Sequence, residues 1–159
     1  ARTDLEHSLE LLPTAQANYL LGNLDKLAGN TESAIEHYQV ASQSNSPTGK
    51  NAQRELALLD MPNNPGKYIQ TQAVLGQNGT VGAAVRNNSP VTAGAIVLKV
   101  EYIDNNGQLR AFTQNIDKTL QPGEQTAVNT GLKGIPDTNQ LARRVRVTVI
   151  GAKPVQQKA

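Results

Sequence analysis

The spacing of the apolar residues changes once along this chain, and no other sequence feature restricts the fold as strongly. Over residues 1–59 they recur at every third or fourth position, as in Leu20 and Leu24, which is the spacing of one helix face. In the second half they alternate with polar residues, as in Val145, Val147 and Val149, which is the spacing of one strand face. The sequence therefore predicts helices first and strands afterwards.

The helical half is interrupted at regular intervals. Breaks are predicted at Pro13, at Gly29-Asn30 and at Ser46 to Gly49. The run DMPNNPGK at residues 60–67 cannot continue a helix, because it holds two prolines and a glycine. We therefore predict a helical domain at residues 1–60, a linker at 61–67, a β domain at 68–153 and a flexible tail at 154–159.

The β half carries turn residues at short, even intervals. About six or seven strands separated in this way are typical of an antiparallel sandwich and not of alternating β-α units. The predicted fold class is α+β in two domains, with an α-hairpin unit followed by an all-β, immunoglobulin-like antiparallel sandwich. The turn signals are Asn78-Gly79, Asn87 to Pro90, Asn105 to Gly107, Pro122-Gly123 and Gly134 to Asp137.

The chain offers little material for catalysis. It has no cysteine, and its two histidines, His7 and His37, are far apart and outside any zinc-binding helix motif. Nucleophile elbows and phosphate-binding loops are also missing from the sequence. We therefore expect that the residues present form no enzyme active site and take no metal or cofactor. A net charge of +2 and the absence of a long apolar run also predict neither nucleic-acid binding nor a membrane span.

Part of the helical half resembles a tetratricopeptide repeat. In that family small residues let two helices approach closely and a tyrosine fills the gap between them. Gly22, Ala34 and Tyr38 match those positions, whereas Asp25 stands where the family prefers an aromatic residue. Residues 4–12 look like the second helix of a preceding unit, and residues 49–59 look like a capping helix. The matching segments are ANYLLGN at Ala17 to Asn23, Gly29-Asn30, ESAIEHYQVA at Glu32 to Ala41, and Ser46-Pro47.

The resemblance also implies a binding surface. In repeats of this family the inner face of the first helix lines a groove for extended peptides. The matching positions are Gln16, Tyr19, Asn23 and Lys26, which follow one helix face. An alternative is that these residues only cover the helix pair against a neighbouring unit. About one and a half repeats are present, fewer than a stable array usually needs.

Residues 79–130 resemble the FxLYD-type β-sandwich of bacterial envelope and secreted proteins. Tyr102 and Asp104 meet that signature only in part, because Ile103 separates them. The resemblance implies an extracytoplasmic location, either periplasmic or associated with the envelope. It rests on GTVGAAVRNNS at Gly79 to Ser89, VLKVEYIDNNGQL at Val97 to Leu109, and LQPGEQTAV at Leu120 to Val128.

A second candidate surface is the basic cluster near the C-terminus. Arg144 and Arg146 alternate with valines, which predicts that both point outward from an edge or terminal strand. Two interpretations stay open: the charges only protect a strand edge against aggregation, or they form a binding patch for a partner.

Together these features predict an adaptor or assembly module of a bacterial envelope that binds a protein or peptide. One alternative is the non-catalytic tail of a larger envelope enzyme, such as a repeat-bearing metallopeptidase. Another is a purely structural oligomerisation module that forms a homo-oligomer. Further repeats, a lipid anchor or a catalytic domain upstream of Ala1 are expectations that the sequence leaves open.

Overall fold

The computed structural model describes residues 2–4 and 14–155 and divides the chain into two compact units, Ala1–Asp60 and Met61–Ala159. Helices dominate the first unit, and antiparallel strands dominate the second. The predicted order of helices before strands is therefore confirmed. Residues 2–4 are helical, whereas the remainder of the predicted helix at residues 4–12, with His7, lies outside the described residues.

Within residues 14–60 the first unit contains three helices: α1 (Ala15–Leu27), α2 (Thr31–Ser42) and α3 (Pro47–Asp60). The hydroxyl of Thr14 caps α1 by accepting a hydrogen bond from the Ala17 amide at 3.0 Å. Past the end of α1, Gly29 has a φ of +81°, as predicted for the residue that ends this helix. Pro47 begins α3, where its missing amide hydrogen costs no helical hydrogen bond.

The helices pack around the ring of Tyr38, which is fully buried. A Cβ atom added to Gly22 would lie only 2.7 Å from Tyr38 Cε1, so the absence of a side chain at this position lets the ring fit against α1. Ala34 and Ala41 are also fully buried beside Tyr38. Gly22, Ala34 and Tyr38 thus pack in the way that the repeat resemblance implies for them.

The second unit contains six described strands and one short α-helix. All strand pairs are antiparallel, in two three-stranded sheets of order β1-β2-β5 and β4-β3-β6. A pair of short 3₁₀ turns, Pro65–Lys67 and Gln77–Gly79, flank the first strand. The elements are β1 (Ile69–Leu75), β2 (Val81–Asn87), β3 (Ala93–Ile103), β4 (Leu109–Ile116), β5 (Gln125–Asn129), α4 (Thr138–Arg144) and β6 (Val145–Pro154).

Each sheet has a buried face that follows the alternation in the sequence. In β2 the residues Val81, Ala83 and Val85 are buried, and the residues between them are partly exposed. Strand β3 is the central strand of its sheet, as its apolar start predicts. At one edge the Thr71 hydroxyl of β1 donates to the Val147 carbonyl of β6 at 2.9 Å, which ties the two sheets together.

The predicted linker and tail differ in detail from the structure. The boundary between the units falls after Asp60, so residues 61–67 belong to the second unit, and the 3₁₀ turn at Pro65–Lys67 packs on β1 and β6. Strand β6 extends to Pro154, and the Val155 amide donates to the Thr92 carbonyl at 2.8 Å. Residues 156–159 of the predicted tail lie outside the described residues.

Candidate interaction surfaces

The two outer residues of the predicted helix face, Gln16 and Lys26, are exposed on α1. Each contacts α3. The Thr48 hydroxyl donates to Gln16 Oε1 at 2.9 Å, and Lys26 Nζ lies 2.8 Å from Glu55 Oε2. An ion pair exposed to this degree contributes about 0–1 kcal/mol, so a ligand can displace it at small cost. These two side chains therefore remain accessible to a partner.

The two inner residues of that face, Tyr19 and Asn23, are half-buried against Tyr38. The Tyr38 hydroxyl donates to Asn23 Oδ1 at 2.6 Å, and the two tyrosine rings lie 5.9 Å apart between centroids. Burial raises the pKa of Tyr38 to about 12, so its hydroxyl stays protonated and continues to donate at neutral pH. The four predicted residues thus share one helix face, but the inner pair also holds α1 to α2.

A buried polar cluster that the sequence does not predict lies at the other side of α1. The Asp25 side chain is completely buried and accepts a hydrogen bond from the Ser33 hydroxyl at 2.7 Å. It also pairs with Arg2, and His37 Nε2 lies 3.5 Å away. His37 Nδ1 is 3.2 Å from Asn18 Oδ1. The buried carboxylate therefore has partners from two other segments of the chain, the N-terminal residues and α2.

These partners make the helical unit sensitive to acid. Burial alone would raise the pKa of Asp25, but hydrogen bonds from Ser33 and Arg2, with the attraction of Arg2 and His37, hold it below its usual value. Because the pKa of Asp25 is lower in the folded state, its ionised carboxylate stabilises the folded protein at pH values above the unfolded-state pKa of about 3.9. That contribution is lost as the pH falls through the folded-state pKa.

We predict that Asp25→Asn lowers the free energy of unfolding of the helical unit by about 1–3 kcal/mol at neutral pH. The difference between wild type and variant should shrink as the pH falls from about 5 towards about 2, because the protonated wild-type carboxyl loses the same attraction. Urea unfolding followed by circular dichroism at several pH values measures this difference. The other carboxylates titrate in both proteins, so their contributions to the difference in unfolding free energy cancel. A difference that is constant across this pH range contradicts the assignment.

The structure corrects the predicted position of Arg144. This residue ends α4 instead of pointing outward from a strand, and its guanidinium donates to the Ile103 carbonyl from Nη2 at 3.0 Å and Nε at 3.3 Å. The helix was not predicted because seven residues show too little periodicity, although Asp137 caps it by accepting from the Gln140 amide at 2.8 Å. Arg146 is exposed on edge strand β6, as predicted.

An open groove of about 330 Å³ lies beside these arginines, and we call it the arginine groove. The β3–β4 register places Ile103 opposite Leu109, and the side chain of Leu109 is 68% exposed. In the neighbouring pair, Glu101 of β3 stands opposite Arg146 of β6. The groove is lined by the basic residues Arg143, Arg144 and Arg146 and by the apolar residues Ile103, Leu109 and Val145, with Glu101 among its other lining residues.

The sequence alone predicts Arg144 and Arg146 as candidate residues of this surface, but not Leu109, Ile103 or Glu101. Leu109 follows the Asn105 to Gly107 turn, and a hairpin there brings it back towards Ile103. The turn at Asn105 to Gly107 is therefore the sequence feature from which the closeness of Leu109 and Ile103 could be predicted.

Within residues 2–4 and 14–155, no group of three or more histidine, cysteine, aspartate or glutamate side chains is arranged to hold a metal ion. Over the same residues, no helix is both long enough and apolar enough to cross a membrane.

No known protein-family model matches the chain, and no curated protein matches it. Two solved structures are distantly similar. One is the Salmonella enterica trimeric lipoprotein SadB, at 14% identity and a TM-score of 0.34, with 96% of this chain and 87% of that chain covered. The other is the Pseudomonas fluorescens alkylpurine DNA glycosylase AlkC bound to DNA with an abasic site analog, at 12% identity and a TM-score of 0.30. That match covers 77% of this chain but only 45% of the glycosylase.

Proposed function

We propose that the chain is a non-catalytic protein–protein interaction module of a bacterial cell envelope, which binds a protein or peptide partner. The arginine groove is the observation that carries this proposal. Arginine and exposed apolar side chains together are typical of the places where partner proteins bind. Here Arg143 and Arg146 are exposed beside Leu109 in an open depression, so both kinds of contact are offered at one place.

The helical unit supports a second surface for the same purpose. The close fit of Gly22 to Tyr38 and the buried Ala34 and Ala41 support a tetratricopeptide-like arrangement of the helices. Gln16 and Lys26 are the accessible part of the proposed helix face, since the side chains of both are exposed.

The second unit supports the β-sandwich half of the proposal. Its two antiparallel sheets each bury one face, which is the arrangement that an immunoglobulin-like or FxLYD-like sandwich requires. The extracytoplasmic location follows from that resemblance and belongs to the same proposal.

Affinity capture with surface variants tests this function. The intact chain is immobilised, exposed to a detergent-solubilised envelope extract of the organism of origin, and the retained proteins are identified by mass spectrometry. We compare wild type with a helix-face variant (Gln16→Ala with Lys26→Ala) and a groove variant (Arg143→Glu with Arg146→Glu). A control variant, Arg86→Glu with Lys153→Glu, makes the same charge change at exposed positions elsewhere in the β unit.

We expect wild type and the control variant to retain the same protein and the groove variant to lose most of it. Thermal unfolding of each variant confirms that the chain is folded. The proposal is wrong if wild type retains nothing beyond the bare resin, or if neither surface variant reduces recovery.

A further inference from the structure

The arginine groove has a positive charge that its surroundings do not cancel. None of the ion pairs found among the described residues includes Arg143 or Arg146. Glu101 offsets one of the three arginines that line the groove. The nearby Arg110 adds little, because its Nε lies 3.0 Å from Asp104 Oδ2 in an ion pair. The groove therefore favours a ligand that carries more than one negative charge.

The roles of the three arginines differ. Arg144 is half-buried and holds the end of α4 to β3 through the Ile103 carbonyl. Arg143 and Arg146 are exposed, and their guanidinium groups are available to carboxylates, which arginine binds with paired hydrogen bonds. Arg143 and Arg146 are thus the residues with which a ligand would form ion pairs.

Apolar side chains lie next to these charges. Leu109 is 68% exposed and stands opposite Ile103, which is half-buried. An exposed leucine beside two arginines matches a ligand with an apolar side chain next to carboxylates, because covering it gains about 25 cal/mol for each Å² removed from water.

The size of the groove sets the length of the ligand. Its lining residues come from the end of α4 and from β6, β3 and β4, and these three strands are neighbours in that order. Three adjacent strands at about 4.8 Å spacing span roughly 10 Å, which is the length of about three extended residues. A short extended segment therefore fits across the end of this sheet.

We infer that the arginine groove binds a short, extended, acidic segment of a partner protein, in which two carboxylates flank or precede one apolar side chain. This inference rests on the proposed function and names the chemistry of the partner. A nucleic acid is less well matched, because Glu101 faces the groove and none of its lining residues is aromatic, so bases have no stacking surface.

Fluorescence anisotropy with defined peptides tests the inference. The probe is a fluorescein-labelled peptide with the core Glu-Glu-Leu between glycine-serine flanks. One comparison peptide replaces both glutamates by glutamine, and another replaces leucine by serine. Each is titrated with intact wild type, with the Arg143→Glu/Arg146→Glu variant and with the Arg86→Glu/Lys153→Glu control. Single-stranded oligothymidylate and phosphatidylglycerol vesicles are tested in parallel.

We expect the groove variant to bind the acidic peptide about tenfold or more weakly than wild type, while the control variant binds it normally. The glutamine peptide should not bind measurably, and the serine peptide should bind more weakly than the leucine peptide. Equal binding by the two charge variants overturns the inference, as does groove-dependent binding of the oligonucleotide or vesicles in preference to the peptide. If wild type captures a partner from extract through the groove but binds no acidic peptide, this inference fails and the proposed function stands.

Discussion

Replacing Asn87 by alanine is expected to lower the free energy of unfolding of the second unit by about 3–5 kcal/mol, because the side chain is fully buried and bonded on both sides. Its Nδ2 donates to the carbonyls of Val91 at 2.8 Å and Leu120 at 2.9 Å. Its Oδ1 accepts from the Ser89 amide at 2.9 Å and the Ser89 hydroxyl at 2.7 Å. Removing the amide leaves buried polar groups of two connecting segments without these partners.

Two further variants test whether the loss of stability comes from these hydrogen bonds or from any substitution in this segment. Asn87→Asp keeps the shape of the side chain but replaces the donating nitrogen by an oxygen, which cannot donate to the carbonyls of Val91 and Leu120. We therefore expect it to lower the stability as much as alanine does. Asn88→Ala changes the exposed neighbour, whose amide only reaches the Gln70 side chain, and should cost less than about 0.5 kcal/mol. Native-state hydrogen exchange, which reports on the strands separately from the helices, measures these differences. A cost for Asn87→Ala within about 1 kcal/mol of zero contradicts this account.

Replacing Tyr38 by alanine is expected to lower the free energy of unfolding of the helical unit by about 3–5 kcal/mol. The ring is fully buried, and Gly22 and Tyr19 pack against it. Alanine would leave a cavity between α1 and α2. A unit this small has little stability in reserve, so we expect most of its helical circular dichroism to be lost well below the wild-type melting temperature.

Tyr38→Phe is the matched control, since it keeps the ring and removes only the 2.6 Å hydrogen bond to Asn23. Asn23 is half-buried and can turn to water, so the expected cost is about 1 kcal/mol. The difference between the two variants measures the packing contribution. If phenylalanine costs as much as alanine, the hydroxyl and not the ring holds the two helices together.

The elements of the fold that the sequence predicted are those specified by local spacing and turn chemistry. The change in the spacing of apolar residues predicted that helices come before strands. Gly29 predicted the end of α1, and its positive φ is a backbone conformation that glycine adopts readily. Asn78 and Gly79 have φ values of 58° and 75°, as their turn signal predicts. Each of these features depends on a few adjacent residues and is readable without knowledge of the fold.

The features that escaped prediction depend on residues distant in sequence. No residue close to Asp25 in sequence indicates that Arg2 and Ser33 reach its carboxylate. The arginine groove arises from strand register, which pairs Glu101 with Arg146 and Ile103 with Leu109. Periodicity shows which face of a strand is buried, but it does not show which residue of the next strand lies opposite.

Site-specific photo-crosslinking tests most directly whether a partner protein binds at the arginine groove. Leu109 is replaced by p-benzoylphenylalanine in the intact chain, expressed in the organism of origin. The matched control carries the same amino acid at Ile150, an exposed position of β6 outside the groove lining. We predict that irradiation joins the position-109 probe to one partner protein, and that Arg143→Glu with Arg146→Glu abolishes this adduct. No adduct at position 109, or the same adducts at both positions, would contradict binding at this groove.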